Sequence, residues 1–173
     1  MKTFRGSPKY LELERPLGRT KLDYLVLQLD RKCPHACRYC FIGNNFNNGL
    51  GDRNLSLNER KMIVRKASEL GARVVSMPGE GEPLAVRGTK ELIAYINKRD
   101  MVSIIYTKGL LLTPEWATFL AEENATVIIS IDSLNEETAT KLNPDPPGWF
   151  PEAMENIRYA REVFKPLGAC RRT

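Results

Sequence analysis

The chain has 173 residues, 42% of them apolar and 27% charged, the balance of an ordinary globular protein with room for one buried core. No apolar run approaches the roughly 20 residues that cross a bilayer, and Met1-Lys2-Thr3-Phe4-Arg5 lacks the apolar segment of a signal peptide. These features argue against a membrane protein and a disulfide framework and for a reducing, cytoplasmic setting. The net charge of +5 is uneven, because residues 1–66 hold 14 of the 26 Lys/Arg but only 6 of the 21 Asp/Glu. A solvated surface is the plain reading of that bias; an anionic cofactor, a nucleic acid or an acidic peptide is the alternative.

Residues 1–21 are polar and carry Gly6, Pro8, Pro16 and Gly18, so they read as an N-terminal arm ahead of one domain at 22–173. The first strand is expected from Tyr24 to Asp30. A cysteine-rich loop follows and leads into Asn44-Asn45-Phe46-Asn47-Asn48-Gly49, expected to be a mobile loop. Ser56-Leu57-Asn58-Glu59 is a capping box that starts a helix with an apolar stripe of Leu57, Ile63, Val64, Ala67 and Leu70. A second strand, Arg73 to Met77, runs into Pro78-Gly79-Glu80-Gly81-Glu82-Pro83. A helix from about Thr89 turns Leu92, Ile93 and Ile96 inward. The third strand, Val102 to Tyr106, precedes Thr107-Lys108-Gly109, and Thr113 with Pro114 starts the next helix. The fourth strand, Thr126 to Ile131, is followed by Asp132 and by a second capping box, Ser133-Leu134-Asn135-Glu136. A stiff turn over Asn143 to Gly148 leads to a last helix from about Pro151 to Phe164.

Four βα units in sequence, with short strands rich in Val and Ile, predict an α/β fold with a parallel sheet. Such a sheet collects its chemistry at the carboxyl ends of its strands. Polar or Gly-rich stretches follow all four strands.

Three of the four cysteines, Cys33, Cys37 and Cys40, stand in the spacing C-x3-C-x2-C just past the first strand. Thiolates packed this tightly select zinc or an iron–sulfur cluster. Structural zinc takes four protein ligands. His35, the only histidine, is awkwardly placed for that role between two of the cysteines, and Cys170 is distant in sequence. A zinc-stabilised α/β binding module without catalysis is the alternative on this reading. A cubane held by three thiolates keeps one iron for a non-protein ligand, which is a catalytic arrangement.

The pattern Cys33-x3-Cys37-x-Tyr39-Cys40 resembles the signature of the radical S-adenosylmethionine (radical SAM) enzymes. The other strand ends look similar to the family's motifs too: Gly81-Glu82-Pro83 to its Gly-Gly-Glu segment, Thr107-Lys108-Gly109 to its Thr-Asn-Gly segment, and Ser130 with Asp132 to its ribose-contacting pair. The resemblance runs from about Tyr24 to Phe164. It implies that Cys33, Cys37 and Cys40 ligate a [4Fe-4S] cluster whose fourth iron is chelated by SAM. It further implies reductive cleavage of SAM to a 5′-deoxyadenosyl radical that abstracts hydrogen from an unidentified substrate. A low-potential electron donor such as flavodoxin or ferredoxin is the implied partner.

By the same resemblance Tyr39 and Phe41 lie over the cluster or near the adenine, and Gly81 admits the methionine end of SAM. Glu82 accepts from the SAM ammonium, Ser130 and Asp132 hold ribose or carboxylate, and Thr107 is a lesser contact. His35 is a local loop contact. Three departures stand out. Glu80 precedes Gly81 where the family has Gly. Lys108 replaces an Asn, as a cation that pairs with Glu80, pairs with a substrate carboxylate or is simply exposed. Four βα units replace the family's six. The fold class expected is therefore a partial TIM-barrel-like sheet, truncated relative to the six-unit core. A partner chain or a further C-terminal part is expected to cover the edge of the fourth strand.

Overall fold

The computed structural model describes residues 22–40 and 54–165. The N-terminal arm, the Asn-rich loop together with Phe41, and the segment holding Cys170 lie outside the described residues.

Four strands, β1 (Tyr24–Val26), β2 (Val74–Met77), β3 (Val102–Thr107) and β4 (Thr126–Ile129), form one parallel sheet in the order β1-β2-β3-β4. Register pairs Tyr24 with Val74, Val74 with Val102 and Ile104 with Thr126, so all four carboxyl ends emerge along one side. Among the described residues five α-helices connect and flank the strands: α1 (Leu57–Glu69), α2 (Thr89–Asn97), α3 (Pro114–Glu122), α4 (Glu136–Leu142) and α5 (Trp149–Phe164). A 3-10 turn, Pro83–Ala85, follows β2.

The helix starts follow local chemistry. At α1 the Ser56 hydroxyl accepts from the Glu59 N–H at 3.3 Å, and the Glu59 carboxylate accepts from the Ser56 N–H at 2.7 Å. The expected capping box is therefore present. At α3 Thr113 caps and Pro114 opens the helix, as expected.

The core lies between sheet and helices. Val64 of α1, Val75 of β2, Ile93 and Ile96 of α2, Ile105 of β3 and Leu120 of α3 are all fully buried in it. Each such side chain contributes on the order of 1.5–3 kcal/mol by leaving water. A smaller cluster of Trp149, Phe150, Ala153, Leu110 and Ala139 joins α4 and α5 to the segment after β3.

Several boundaries differ from the expectation. β1 stops at Val26, not Asp30: Leu27 still donates to the Ser76 carbonyl at 2.8 Å, and the chain then leaves the sheet to start the cysteine loop. β4 ends at Ile129 rather than Ile131, although Ser130 N–H still reaches the Thr107 carbonyl at 2.8 Å. The second capping box does not form at Ser133. Asn135 is the cap, with its side chain accepting from the Thr138 N–H at 2.9 Å, while Ser133 Oγ accepts from the Asn135 N–H and closes a turn one step earlier. α5 begins at Trp149, ahead of Pro151. Leu70 is 55% exposed and leaves the apolar stripe, because it is the C-cap where the helix ends.

Candidate functional site

Every strand end contributes to one pocket of about 450 Å³. That volume falls in the range of small-molecule sites. The loop after β1 brings Cys33, Cys37, Tyr39 and Cys40; the loop after β2 brings Gly79 to Glu82; β3 ends there with Thr107 and Lys108; β4 leads there through Ser130 and Asp132. All the described residues singled out from the sequence thus line one cavity, although they are spread over 100 positions, from Cys33 to Asp132.

The cysteine loop is docked by backbone and by His35. Arg38 N–H donates to the Leu142 carbonyl at 2.9 Å, and Cys40 N–H to the Cys37 carbonyl at 3.0 Å. His35 Nδ1 lies 2.7 Å from the Asn143 amide and 3.2 Å from the Asp145 carbonyl. Its ring meets Trp149 edge-on at 5.2 Å, and Trp149 Nε1 donates to the Asn143 carbonyl at 2.8 Å. His35 is therefore a long-range anchor to the turn between α4 and α5, not the local loop contact expected from the sequence. Burial holds its imidazole down at about 4, so it is neutral.

Cys33, Cys37 and Cys40 are free thiols. Burial pushes Cys33 up to about 11, against the opposing bond from the His35 N–H, and burial likewise raises Cys37 against the pull of Lys108. A metal would displace those protons, since coordinated thiols are deprotonated outright. Among the described residues no three His, Cys, Asp or Glu side chains converge on a single-ion site.

Gly81 is required by the chain itself. A Cβ at that position would lie 2.4 Å from the Asp30 carbonyl oxygen and 2.7 Å from that of Lys32. The β2 loop is thereby pressed against the root of the cysteine loop, and Glu82 N–H bonds to the Lys32 carbonyl at 2.8 Å. The Glu82 side chain is buried. Its Oε2 accepts from Thr107 Oγ1 at 2.9 Å and from Lys108 N–H at 3.3 Å, and its Oε1 accepts from Leu84 N–H at 3.2 Å. Burial raises this carboxyl, and those donors oppose it. A carboxylate has about four acceptor positions, so one remains on Oε1.

Lys108 does not pair with Glu80. Glu80 faces Arg31 at 3.4 Å, and its backbone N–H donates to Gln28 Oε1 at 3.3 Å. The Lys108 ammonium instead donates to Asp132 Oδ2 at 2.7 Å, Tyr39 Oη at 2.8 Å and the Ser130 carbonyl at 3.1 Å, and Tyr39 Oη donates to the same Asp132 oxygen. Burial and the Asp132 bond push the Tyr39 phenol up to about 12. Burial acts to raise the Asp132 carboxyl, but the Lys108 and Tyr39 bonds outweigh it and hold it below the usual range. The reciprocal bonds outweigh burial at Lys108 and raise it. Sequence reading had no signal for the Trp149–Asn143–His35 anchor or for the Arg31–Glu80 pair, since no short spacing links those residues.

The family model of the Radical SAM superfamily matches residues 28–170. The GTP 3',8-cyclase of Petrotoga mobilis is 32% identical over 84% of this chain and 45% of its own length, and the PqqA peptide cyclase of Rhodopseudomonas palustris is 27% identical over 83% and 37%. The chain thus spans less than half the length of either relative. The crystal structure of Streptococcus suis SuiB bound to S-adenosylmethionine superposes with a TM-score of 0.69 at 21% identity, over 83% of this chain and 32% of that one, which shows the shared fold. Members of the matched superfamily use a [4Fe-4S] cluster and SAM. With its parallel four-stranded sheet and this match across most of its length, the chain belongs to the radical SAM superfamily.

Proposed function

We propose that this chain carries the cofactor-binding face of a radical SAM enzyme. Cys33, Cys37 and Cys40 hold a [4Fe-4S] cluster, and Glu82, Asp132, Ser130, Gly81 and Tyr39 surround SAM, with Thr107 behind Glu82; Phe41, outside the described residues, is assigned to the same site by the family resemblance alone. When bound, the reduced cluster and SAM supply a 5′-deoxyadenosyl radical for hydrogen abstraction from substrate.

One observation carries the reading: three free thiols, a buried carboxylate with spare acceptor capacity and a second, ionised carboxylate share a single pocket at the strand ends. Glu82 offers Oε1 to an ammonium, and a charged donor makes that bond one of the stronger kind. Thr107 acts through Glu82, which it holds in place. Asp132 is kept ionised as an acceptor for hydroxyl groups.

The chemistry requires a low-potential electron donor of the flavodoxin or ferredoxin type. Among the described residues no helix is long and apolar enough to cross a membrane. Free thiols and an oxygen-sensitive cluster fit a reducing cytoplasm. Relatives named for GTP and for the PqqA peptide make a nucleotide or a peptide the substrate classes to try first.

Anaerobic reconstitution with iron and sulfide tests the reading. A brown protein with close to four irons and four sulfides per chain, yielding 5′-deoxyadenosine from SAM on reduction with dithionite, is the expected result. A protein that binds one zinc and takes up no sulfide would sink it and favour the binding-module alternative.

A further inference from the structure

We infer that Lys108 is a positioning residue for the adenosine half of SAM, acting by holding Asp132 and Tyr39 in place. The inference rests on the cofactor reading above.

On the sequence alone Lys108 has three readings: a pair with Glu80, a pair with a substrate carboxylate, or an exposed cation. The structure engages its ammonium elsewhere. Its side chain is only 11% exposed. An ammonium has three N–H donors, and all three are engaged, by Asp132 Oδ2, Tyr39 Oη and the Ser130 carbonyl. The groups it joins come from different parts of the chain: Tyr39 from the cysteine loop, Ser130 and Asp132 from the end of β4, with Lys108 itself at the end of β3. Lys108 therefore ties three of the four strand ends across the pocket.

The bonding pattern also fixes polarity. Tyr39 Oη accepts from Lys108 and donates to Asp132, so the hydroxyl has one orientation. Both bonds to Asp132 fall on Oδ2, which leaves acceptor capacity on Oδ1 for a vicinal diol. An Asn at position 108 has two donors, no charge and a shorter reach, so it could not make this set. Lys108 thus supplies from the protein the order that a ribose-binding carboxylate needs before ligand arrives.

The test measures SAM affinity in the anaerobically reconstituted, unreduced protein, with methionine as a probe that lacks the adenosine half. Lys108→Met is expected to weaken SAM about 10- to 100-fold, the size of loss that follows removal of an outer-shell partner orienting a metal ligand. Methionine binding is expected to stay unchanged. Asp132→Asn is expected to weaken SAM similarly, and the double variant to be no weaker than the worse single one. The inference is overturned if Lys108→Met binds SAM as the unsubstituted protein does, if SAM and methionine weaken alike, or if the two substitutions multiply. Failure of the unsubstituted protein to bind SAM would instead overturn the cofactor assignment, and this inference with it. If thermal melting shows that Lys108→Met does not fold, Lys108→Gln carries the same expectations.

Discussion

Thr107 Oγ1 donates to Glu82 Oε2 at 2.9 Å, and both side chains are only 3% exposed. The same hydroxyl oxygen accepts from the Gly109 N–H at 3.0 Å, so one side chain orders both the acid and the turn after β3. Thr107→Val keeps the shape and removes the donor. It should cost about 1–3 kcal/mol, the usual penalty for a buried polar group losing its partner, and Thr107→Ser should recover most of it. Urea melts of the cluster-free protein measure both, and a Val variant as stable as the parent would contradict the assignment.

Glu82→Gln tests the acid from the other side. Both carboxylate oxygens face donors, Leu84 N–H on Oε1 and Thr107 and Lys108 on Oε2. A Gln amide must point its NH2 at one of those sets. Lower stability and a loss of at least about tenfold in SAM affinity are expected. Isothermal titration of the reconstituted variant decides the second point; an unchanged affinity would remove Glu82 from the site.

Gly81→Ala should damage the protein before any ligand is added. The new methyl would meet backbone carbonyls of Asp30 and Lys32, which cannot swing away as a flexible side chain would. Overpacking of this kind costs about 1–3 kcal/mol or more. The melting temperature should fall and iron uptake with it, since the displaced segment is the root of the cysteine loop.

Cys37→Ala should separate cluster from scaffold. Its thiol lines the pocket, whereas the core around Val75, Ile93 and Ile105 lies elsewhere. Iron and sulfide should fall to background after reconstitution while circular dichroism keeps the α/β signature. A full iron complement in this variant would refute the ligand assignment.

The Lys108–Asp132 pair predicts a pH dependence. Its bonds hold the folded Asp132 carboxyl below its ordinary value. Above the ordinary carboxylate range both folded and unfolded forms are ionised, and the full stabilisation is present. As pH falls through that range the unfolded chain takes up the proton first, and the contribution fades until the folded carboxyl is protonated too. The stability advantage of the parent over Lys108→Met, about 1 kcal/mol or less for a partly exposed pair, should therefore shrink on acidification. Melts of the cluster-free proteins between neutral and acidic pH measure it; a constant difference would argue against the pair.

The legible features were local. The spacing of Cys33, Cys37 and Cys40, the capping box at Ser56, the Thr113–Pro114 helix start and the four βα units could be read directly, because each depends on residues within one turn or on the alternation of apolar runs. Even the second cap failed only by two positions, where Asn135 displaced Ser133.

Partner choice was another matter. The sequence by itself determined which chemical groups sit at the strand ends, since loop composition and strand order place them there. Only the tertiary structure decided that Lys108 binds Asp132 rather than Glu80, because the β3–β4 register sets Thr107 beside Ile129 and brings the two strand ends together. It likewise set Glu80 against Arg31, His35 against the Asn143 turn 108 positions away, and Gly81 against the Asp30 carbonyl. Those pairings arise from sheet register and from the close packing of one loop on the next. No spacing within the chain encodes either.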